Sequence, residues 1–370
     1  MSEFNSRNIR RIVVRGTNWV GDAVMTVPAL RELRRLFPDA QITLATRSLS
    51  AGLFVDADFI DDLQVHVETG ILSTIGQVRE WRKRNFDLAV LFPNSFESAL
   101  VAFLAGVRTR IGYGTDGRRL LLTHPLALPQ WRSTRHEVFY YLEIVEQLGR
   151  LLNVSSSASD GTVREPDGSL RVDPARRLAA FELLRRHGVE THSDREGPAV
   201  VALCPGSINS RAKRWPAERY AALADRFIRE LGAQVVLIGS NDELDVSQEV
   251  AGLMSEPAVI LAGQTNLEQA VALLSEVDLL VTNDTGPAHI ASALGRPTLV
   301  IFGPTNPLTT APFSAAGQII RHPPDCAPCM LRDCPIDHRC MTAISPDEVF
   351  ERGVLMLTKR EPDQVERRPA

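Results

Sequence analysis

Cysteine is scarce, and its placement does not suit a secreted protein. There are five in 370 residues, and four of them fall between Cys326 and Cys340. Small secreted domains stapled by disulfides are cysteine-dense throughout, so that class is excluded and a reducing compartment is expected. Aromatic residues are also few, at 6%. No apolar stretch is long enough to span a bilayer: the longest uncharged run, Pro297–Ile320, is broken by Gly303, Pro304, Pro307 and Pro312. The opening Met1–Arg11 is polar and lacks the apolar core of a secretory signal, so the expected location is cytoplasmic. Charge of one sign is lacking too, since 41 Lys+Arg against 45 Asp+Glu leave a net −4. A nucleic-acid binder working by phosphate neutralisation is usually more basic, so no nucleic-acid partner is expected.

What is present is ordinary globular composition, 44% hydrophobic and 23% charged. Single cores stop growing at about 250–300 residues, so this length predicts two domains. Arg11–Arg15 reads as a buried strand that runs into a glycine-bounded turn, Gly16–Asp22. A helix follows to Leu36, with a kink or restart expected at Pro28. Further strands are read at Gln41–Ala45, Asp87–Phe92 and Arg110–Gly112, with a helix over Phe96–Leu104. The stretch Val154–Gly168, rich in Ser, Asp, Gly and Pro, reads as a loop near a domain boundary, and Pro174–His187 as a charged helix. A second series has strands at Ala199–Leu203, Val235–Gly239, Val259–Ala262, Leu279–Thr282 and Thr298–Phe302, separated by helical segments. Alternation of this kind predicts two α/β doubly wound halves with mostly parallel sheets. Ligands of such sheets bind beyond the carboxyl ends of the strands, which directs attention to the loops there.

Four such features carry chemistry. The turn Gly16–Asp22 has neither the Lys-Ser/Thr of a Walker loop nor GxGxxG spacing. Asp22 either caps the following helix or is a carboxylate at a strand end that takes a proton from a substrate hydroxyl. Second, Cys204-Pro-Gly-Ser207 leads to Lys213-Arg214-Trp215-Pro216, and Arg211, Lys213 and Arg214 are the only charges between Ala199 and Ala217. Such a loop suits a diphosphate or is an exposed basic loop. Third, Asp284-Thr285-Gly286-Pro287-Ala288-His289 offers a helix start with close backbone approach, another anion-type loop, with His289 one turn further on. Fourth, Arg108, Arg110, Arg118, Arg119, Arg132, Arg135 and His136 crowd a stretch in which Asp116 is the only acid; this is a solvated face or a patch for a polyanionic acceptor or membrane surface.

These motifs together resemble glycosyltransferase family 9, the ADP-heptose:lipopolysaccharide heptosyltransferases, and most of all the heptosyltransferase II group. The segments that carry the resemblance are RGTNWVGDAVMTVPALRELRRLFP, CPGSINSRAKRWP, NDTGPAHIASALGRPTLVIFGPTNP and CAPCMLRDCPIDHRCM, in the family's order along nearly the whole chain. The resemblance implies a GT-B fold of two Rossmann-like doubly wound domains facing across a cleft. Residues 1–168 would bind the acceptor and 169–350 the nucleotide-sugar donor, leaving 351–370 as a helix end and polar tail. It implies inverting transfer from ADP-L-glycero-D-manno-heptose to heptose I of the lipopolysaccharide inner core, with no cofactor required, at the inner face of the inner membrane. Residue by residue, it makes Asp22 the catalytic base and places Ser207 (or Ser210) and Lys213 on the donor diphosphate. Asp284, Thr285, Gly286 and His289 form the second donor loop, and Glu243 (or Asp242) meets the ribose. Arg118, Arg119, Arg135 and His136 fall on the acceptor side. Cys326, Cys329, Cys334 and Cys340 have ligand types that suit structural zinc or are plain reduced thiols.

Overall fold

The central strands are short runs of Val, Ile, Leu and Ala buried on both faces, and this composition makes parallel rather than antiparallel sheets. The computed structural model describes residues 9–66, 70–153, 165–190 and 197–358. The expected loop over Val154–Gly168 lies outside them at 154–164, as do the N-terminal eight residues and the polar tail from 359. The chain forms two compact units. One runs to Asp173 and takes in Leu267–Val271 and Pro307–Phe313; the other comprises Pro174–Asn266, Ala272–Asn306 and the chain from Ser314 onward.

The first half of the chain contains β1 (Arg11–Arg15), α1 (Val20–Met25), α2 (Val27–Leu36), β2 (Gln41–Arg47), α3 (Ser48–Ala51), β3 (Asp62–His66) and α4 (Ile71–Arg84). It continues with β4 (Leu88–Leu91), α5 (Phe96–Leu104), β5 (Thr109–Tyr113), β6 (His124–Leu126) and α6 (Glu137–Leu151). Its sheet is parallel, in the order β3-β2-β1-β4-β5-β6. The helix expected through Leu36 is two helices. Thr26 turns its hydroxyl onto the Ala23 carbonyl at 2.7 Å, and Pro28, which has no N–H to give, sits in the first turn of α2. The core beneath the sheet gathers Val13, Ala89, Leu91, Trp81, Phe86 and Val101.

The second half contains α7 (Pro174–Arg186), β7 (Val200–Cys204), α8 (Ala217–Leu231), β8 (Gln234–Leu237), α9 (Leu244–Leu253), β9 (Val259–Ile260), α10 (Leu267–Leu274) and β10 (Leu279–Asn283). It ends with α11 (Gly286–Ala293), β11 (Thr298–Ile301), α12 (Pro307–Thr310), β12 (Gly317–Ile320), α13 (Arg339–Thr342) and α14 (Pro346–Thr358). Its parallel sheet runs β12-β11-β10-β7-β8-β9. Read from the other edge, this is the same winding as the first sheet, the Rossmann order 3-2-1-4-5-6. The chain therefore has two Rossmann-like doubly wound sheets. Each has its switch point between its first and fourth strands, β1 and β4 in one, β7 and β10 in the other.

Candidate active site

In the second unit the loops after β7, β8 and β10 meet at the switch point. Asn283, the last residue of β10, is fully buried and joins them. Its Oδ1 accepts from the Trp215 N–H at 3.0 Å and the Tyr220 hydroxyl at 3.1 Å, and its Nδ2 donates to the Pro205 and Gly206 carbonyls at 2.8 and 3.1 Å. Every hydrogen-bonding position on the amide is used, so the Cys204–Trp215 loop is fixed against the strand that precedes Asp284. Asp284 is buried, and Lys213 Nζ reaches its Oδ2 at 3.0 Å and its backbone carbonyl at 3.1 Å. Thr305, on the loop after β11, donates to the same Oδ2 at 2.6 Å. A buried carboxylate is thus paired and hydrogen-bonded, and it holds an ammonium group in one place.

Next to that pair begins α11. Thr285 occupies its N-cap position without a side-chain cap bond; its hydroxyl turns instead to Thr282 and the Asn283 carbonyl, each at 3.3 Å. A helix start left uncapped by its own side chain is an anion site in waiting. Gly286 and Pro287 open the helix, and His289 is buried one turn inside. Ser207 is buried, and its carbonyl accepts both Nε and Nη2 of Arg214, at 3.2 and 3.0 Å. Ser210 turns its hydroxyl away, onto the carbonyls of Leu331 and Arg332, both at 3.2 Å.

Glu243 is buried, whereas Asp242 beside it is exposed. Its Oε2 accepts from the Ser240 N–H and hydroxyl, both at 2.9 Å, in a capping box. Its other oxygen lies so close to Gly206 that a Cβ there would overlap the carboxylate. The absence of a side chain at 206 is what lets the β8 loop approach the β7 loop. Between them, burial pushes the Cys204 thiol far up, helped by Glu243, while Thr282 and Thr285 hydrogen-bond it. Ser207, Lys213, Glu243, Asp284, Thr285, Gly286 and His289 therefore gather at the carboxyl ends of β7, β8 and β10.

In the first unit, Asp22 lies in the first turn of α1, whose N-cap residue Trp19 makes no side-chain cap bond. Helix α6 packs on α1 and α2. It brings Glu137, which sequence reasoning missed, within electrostatic reach of Asp22. Burial raises the Glu137 carboxyl, Arg132 opposes the shift and Asp22 adds to it. The missed signal was the acid directly after Arg135-His136 at a helix start. His136 is half-buried; its Nε2 donates to the Ala311 carbonyl at 2.6 Å, its Nδ1 accepts from the Val138 N–H, and burial lowers its pKa. Arg119 and Arg135 are exposed, the latter with its guanidinium 3.6 Å from the Phe139 ring centroid.

Arg118 departs from the expected acceptor patch. It is fully buried, donates to the Tyr113 carbonyl at 2.8 Å, the Ser98 hydroxyl at 2.9 Å and the Pro93 carbonyl, and burial lowers its pKa to about 10. With those donors committed, Arg118 fixes the loop after β4 rather than meeting an acceptor. A second buried arginine, Arg15 at the end of β1, donates to the His66 ring and to Gln77 Oε1 at 2.8 Å.

The arrangement of the cysteine-rich segment lends the zinc expectation no support. All five cysteines are free thiols, and among the described residues no three His, Cys, Asp or Glu side chains are placed to hold a metal ion. Cys340 is buried and Cys326 exposed, while His338 turns its Nε2 to the Ala212 carbonyl at 2.6 Å. Burial raises the Cys340 thiol, and Cys334, Cys329 and Cys326 add to the shift.

Residues 77–339 match the profile of Glycosyltransferase family 9 (heptosyltransferase). The chain is 32% identical over 320 residues to Lipopolysaccharide heptosyltransferase 2 of Escherichia coli K12, covering 84% of this chain and 88% of that one. It is 30% identical to Lipooligosaccharide heptosyltransferase 2 of Haemophilus influenzae over the same shares. Among solved structures, the E. coli ADP-heptose lps heptosyltransferase II superposes with a TM-score of 0.77 at 27% identity, over 94% of this chain and 99% of that one. The likeness extends to both doubly wound sheets, which is the GT-B architecture. Sequence, fold and switch-point loops agree, and the chain belongs to glycosyltransferase family 9, the heptosyltransferases.

Proposed function

We propose that this enzyme transfers L-glycero-D-manno-heptose, with inversion, from ADP-heptose to heptose I of the lipopolysaccharide inner core. The observation that carries the reading is the Lys213–Asp284 pair, 3.0 Å apart beside the uncapped start of α11. An ammonium has three N–H donors, and two of Lys213's are on Asp284, which leaves the third for a phosphate oxygen. Ser207, the amides of Thr285 and Gly286, and His289 complete a seat for the diphosphate, and Glu243 takes the ribose hydroxyls. Asp284 acts through Lys213 and does not itself meet the anion.

Inversion needs one displacement. The acceptor hydroxyl oxygen attacks the anomeric carbon from the face opposite ADP, the bond from that carbon to the phosphate oxygen breaks, and the hydroxyl proton passes to Asp22. The leaving diphosphate gains negative charge, which the fixed ammonium and amides stabilise; one such preorganised donor is worth about 3–4 kcal/mol. The proton moves late, from a hydroxyl already losing it, so a carboxylate base suffices. No cofactor takes part in these steps. Arg119 and Arg135, exposed on the first unit, and His136 beside them suit the anionic saccharide. No helix among the described residues is long and apolar enough to cross a membrane. The inner membrane's cytoplasmic face is the place where such an enzyme meets its acceptor.

Calorimetric titration with ADP, UDP and GDP tests the donor assignment. ADP is expected to bind at least tenfold more tightly than the other two. Equal affinity, or a preference for UDP or GDP, removes the ADP-heptose reading.

A further inference from the structure

Lys213 sits on a single 3-10 turn, Arg211–Lys213, and one such turn cannot hold its own shape. Its shape comes from the cysteine-rich segment 326–340, which bonds to each residue before the lysine. Ser210 Oγ donates to the carbonyls of Leu331 and Arg332. Arg211 Nε pairs with Asp333 Oδ1 at 2.7 Å. The Ala212 N–H donates to the Arg332 carbonyl at 2.9 Å, and the Ala212 carbonyl accepts from His338 Nε2 at 2.6 Å. Both backbone groups of the residue next to Lys213 therefore end on this segment. The segment also reaches the other side of Asp284, because the Met330 N–H donates to the carbonyl of Pro304, the residue before Thr305.

Little apolar burial holds the segment itself, since Met330 and Ile336 are about 60% exposed. Its anchor is α13, where Cys340 and Met341 enter the core of the second unit and leave no room for a side chain at Gly303. His338 is the N-cap residue of that helix, in the left-handed region at φ 55°. It is the point where the anchored core hands its rigidity to the lysine loop.

We propose that segment 326–340 is a strap that holds the Lys213 turn in register, and that His338 is the positioning residue for Lys213. This rests on the reading of Lys213 as a diphosphate ligand, and the test separates the two. Three variants are compared in the full chain by ADP calorimetry and steady-state kinetics. Lys213→Met removes the ammonium. His338→Asn keeps a residue at ease in the left-handed region, but its amide stops short of the carbonyl. His338→Gln restores an N–H donor at the reach of Nε2.

His338→Asn is expected to weaken ADP binding and raise the donor KM about tenfold, the loss of one hydrogen bond, and to lower kcat as the ammonium loses its place beside the leaving diphosphate, with acceptor KM within about twofold. His338→Gln recovers most of that loss. A general loss of folded enzyme would lower kcat with neither the split between the two KM values nor the rescue. If Lys213→Met weakens ADP binding while His338→Asn does not, the strap proposal is overturned and the donor reading stands. If Lys213→Met leaves ADP binding unchanged, both fall.

A measurement on the unmodified protein covers a His338→Asn chain that fails to fold. Hydrogen exchange at 326–340 should slow when ADP is added, because linkage is reciprocal. Unchanged exchange with ADP bound overturns the strap.

Discussion

After the first strand of each sheet the chain turns into a helix, and the two turns carry opposite charge. Behind β1 the turn ends on a carboxylate, Asp22; behind β7 it ends on an ammonium, Lys213, pinned to a buried carboxylate. The winding around both switch points is the same. The fold therefore supplies two equivalent places, and side chains alone separate them; under the proposed function the carboxylate would take a proton and the ammonium would hold an anion. The units also differ in how buried charge is met. In the second unit Asp284 is compensated by a cation and a hydroxyl. In the first, the Arg15 guanidinium is bonded to two neutral groups, Gln77 and His66; burial lowers its pKa to about 10, and burial with Arg15 and Arg47 lowers that of His66 to about 3.

The strongest way to break this contrast is at the carboxylate. Asp22→Asn is expected to lower kcat by about 10²–10⁴-fold, the usual worth of a positioned base, with ADP affinity unchanged within about twofold. Steady-state kinetics and calorimetry read the two quantities separately; retained turnover contradicts the role of base. Lys213→Met should do the reverse in kind, weakening ADP binding and lowering kcat/KM for the donor by about 10²-fold or more. If both variants alter donor and acceptor parameters alike, the division between the turns is wrong.

A smaller effect, on stability, tests the staple between the loops. Asn283→Ala leaves the Trp215 N–H and the Pro205 and Gly206 carbonyls without their partner, which should cost about 3 kcal/mol in chemical denaturation. A loss under about 1 kcal/mol would mean that the loops hold themselves.

A fourth test lies in the first unit and depends on pH. His66 has a folded pKa below its unfolded value of about 6.5, so its contribution is fully present above that pH and is lost as pH falls from about 6.5 toward 3. His66→Gln should flatten the decline of stability with acid by up to about 1.4 kcal/mol per pH unit across that window. Parallel curves for the two proteins would show that the imidazole titrates normally.

The central strands were legible because two-sided burial writes continuous apolar runs such as Arg11–Arg15 and Leu279–Asn283. The strands β3, β6 and β12 lie toward the sheet edges, are partly exposed and write no such run, so sequence reasoning passed over them. Helix α6 was missed because Val138–Leu142 is an unbroken apolar stretch that blurs the helical period. The residues of the switch-point loops in the second unit were legible as motifs, since loops after strand ends are where small residues and charges stand out. Arg118 was misjudged because a charge run reveals composition and not direction; its guanidinium points inward to carbonyls that no local pattern announces. Thr305, Asn283 and His338 act through partners far along the chain, so only the folded contacts disclose them.

The most direct test is a transfer assay with mass detection of the saccharide. The purified protein is given ADP-heptose and an inner-core acceptor ending in heptose I. The account predicts that the acceptor gains the mass of one heptose with an equal amount of ADP released, and that Asp22→Asn loses this activity. No gain in mass from ADP-heptose, together with transfer from a different nucleotide sugar to the same acceptor, would contradict it.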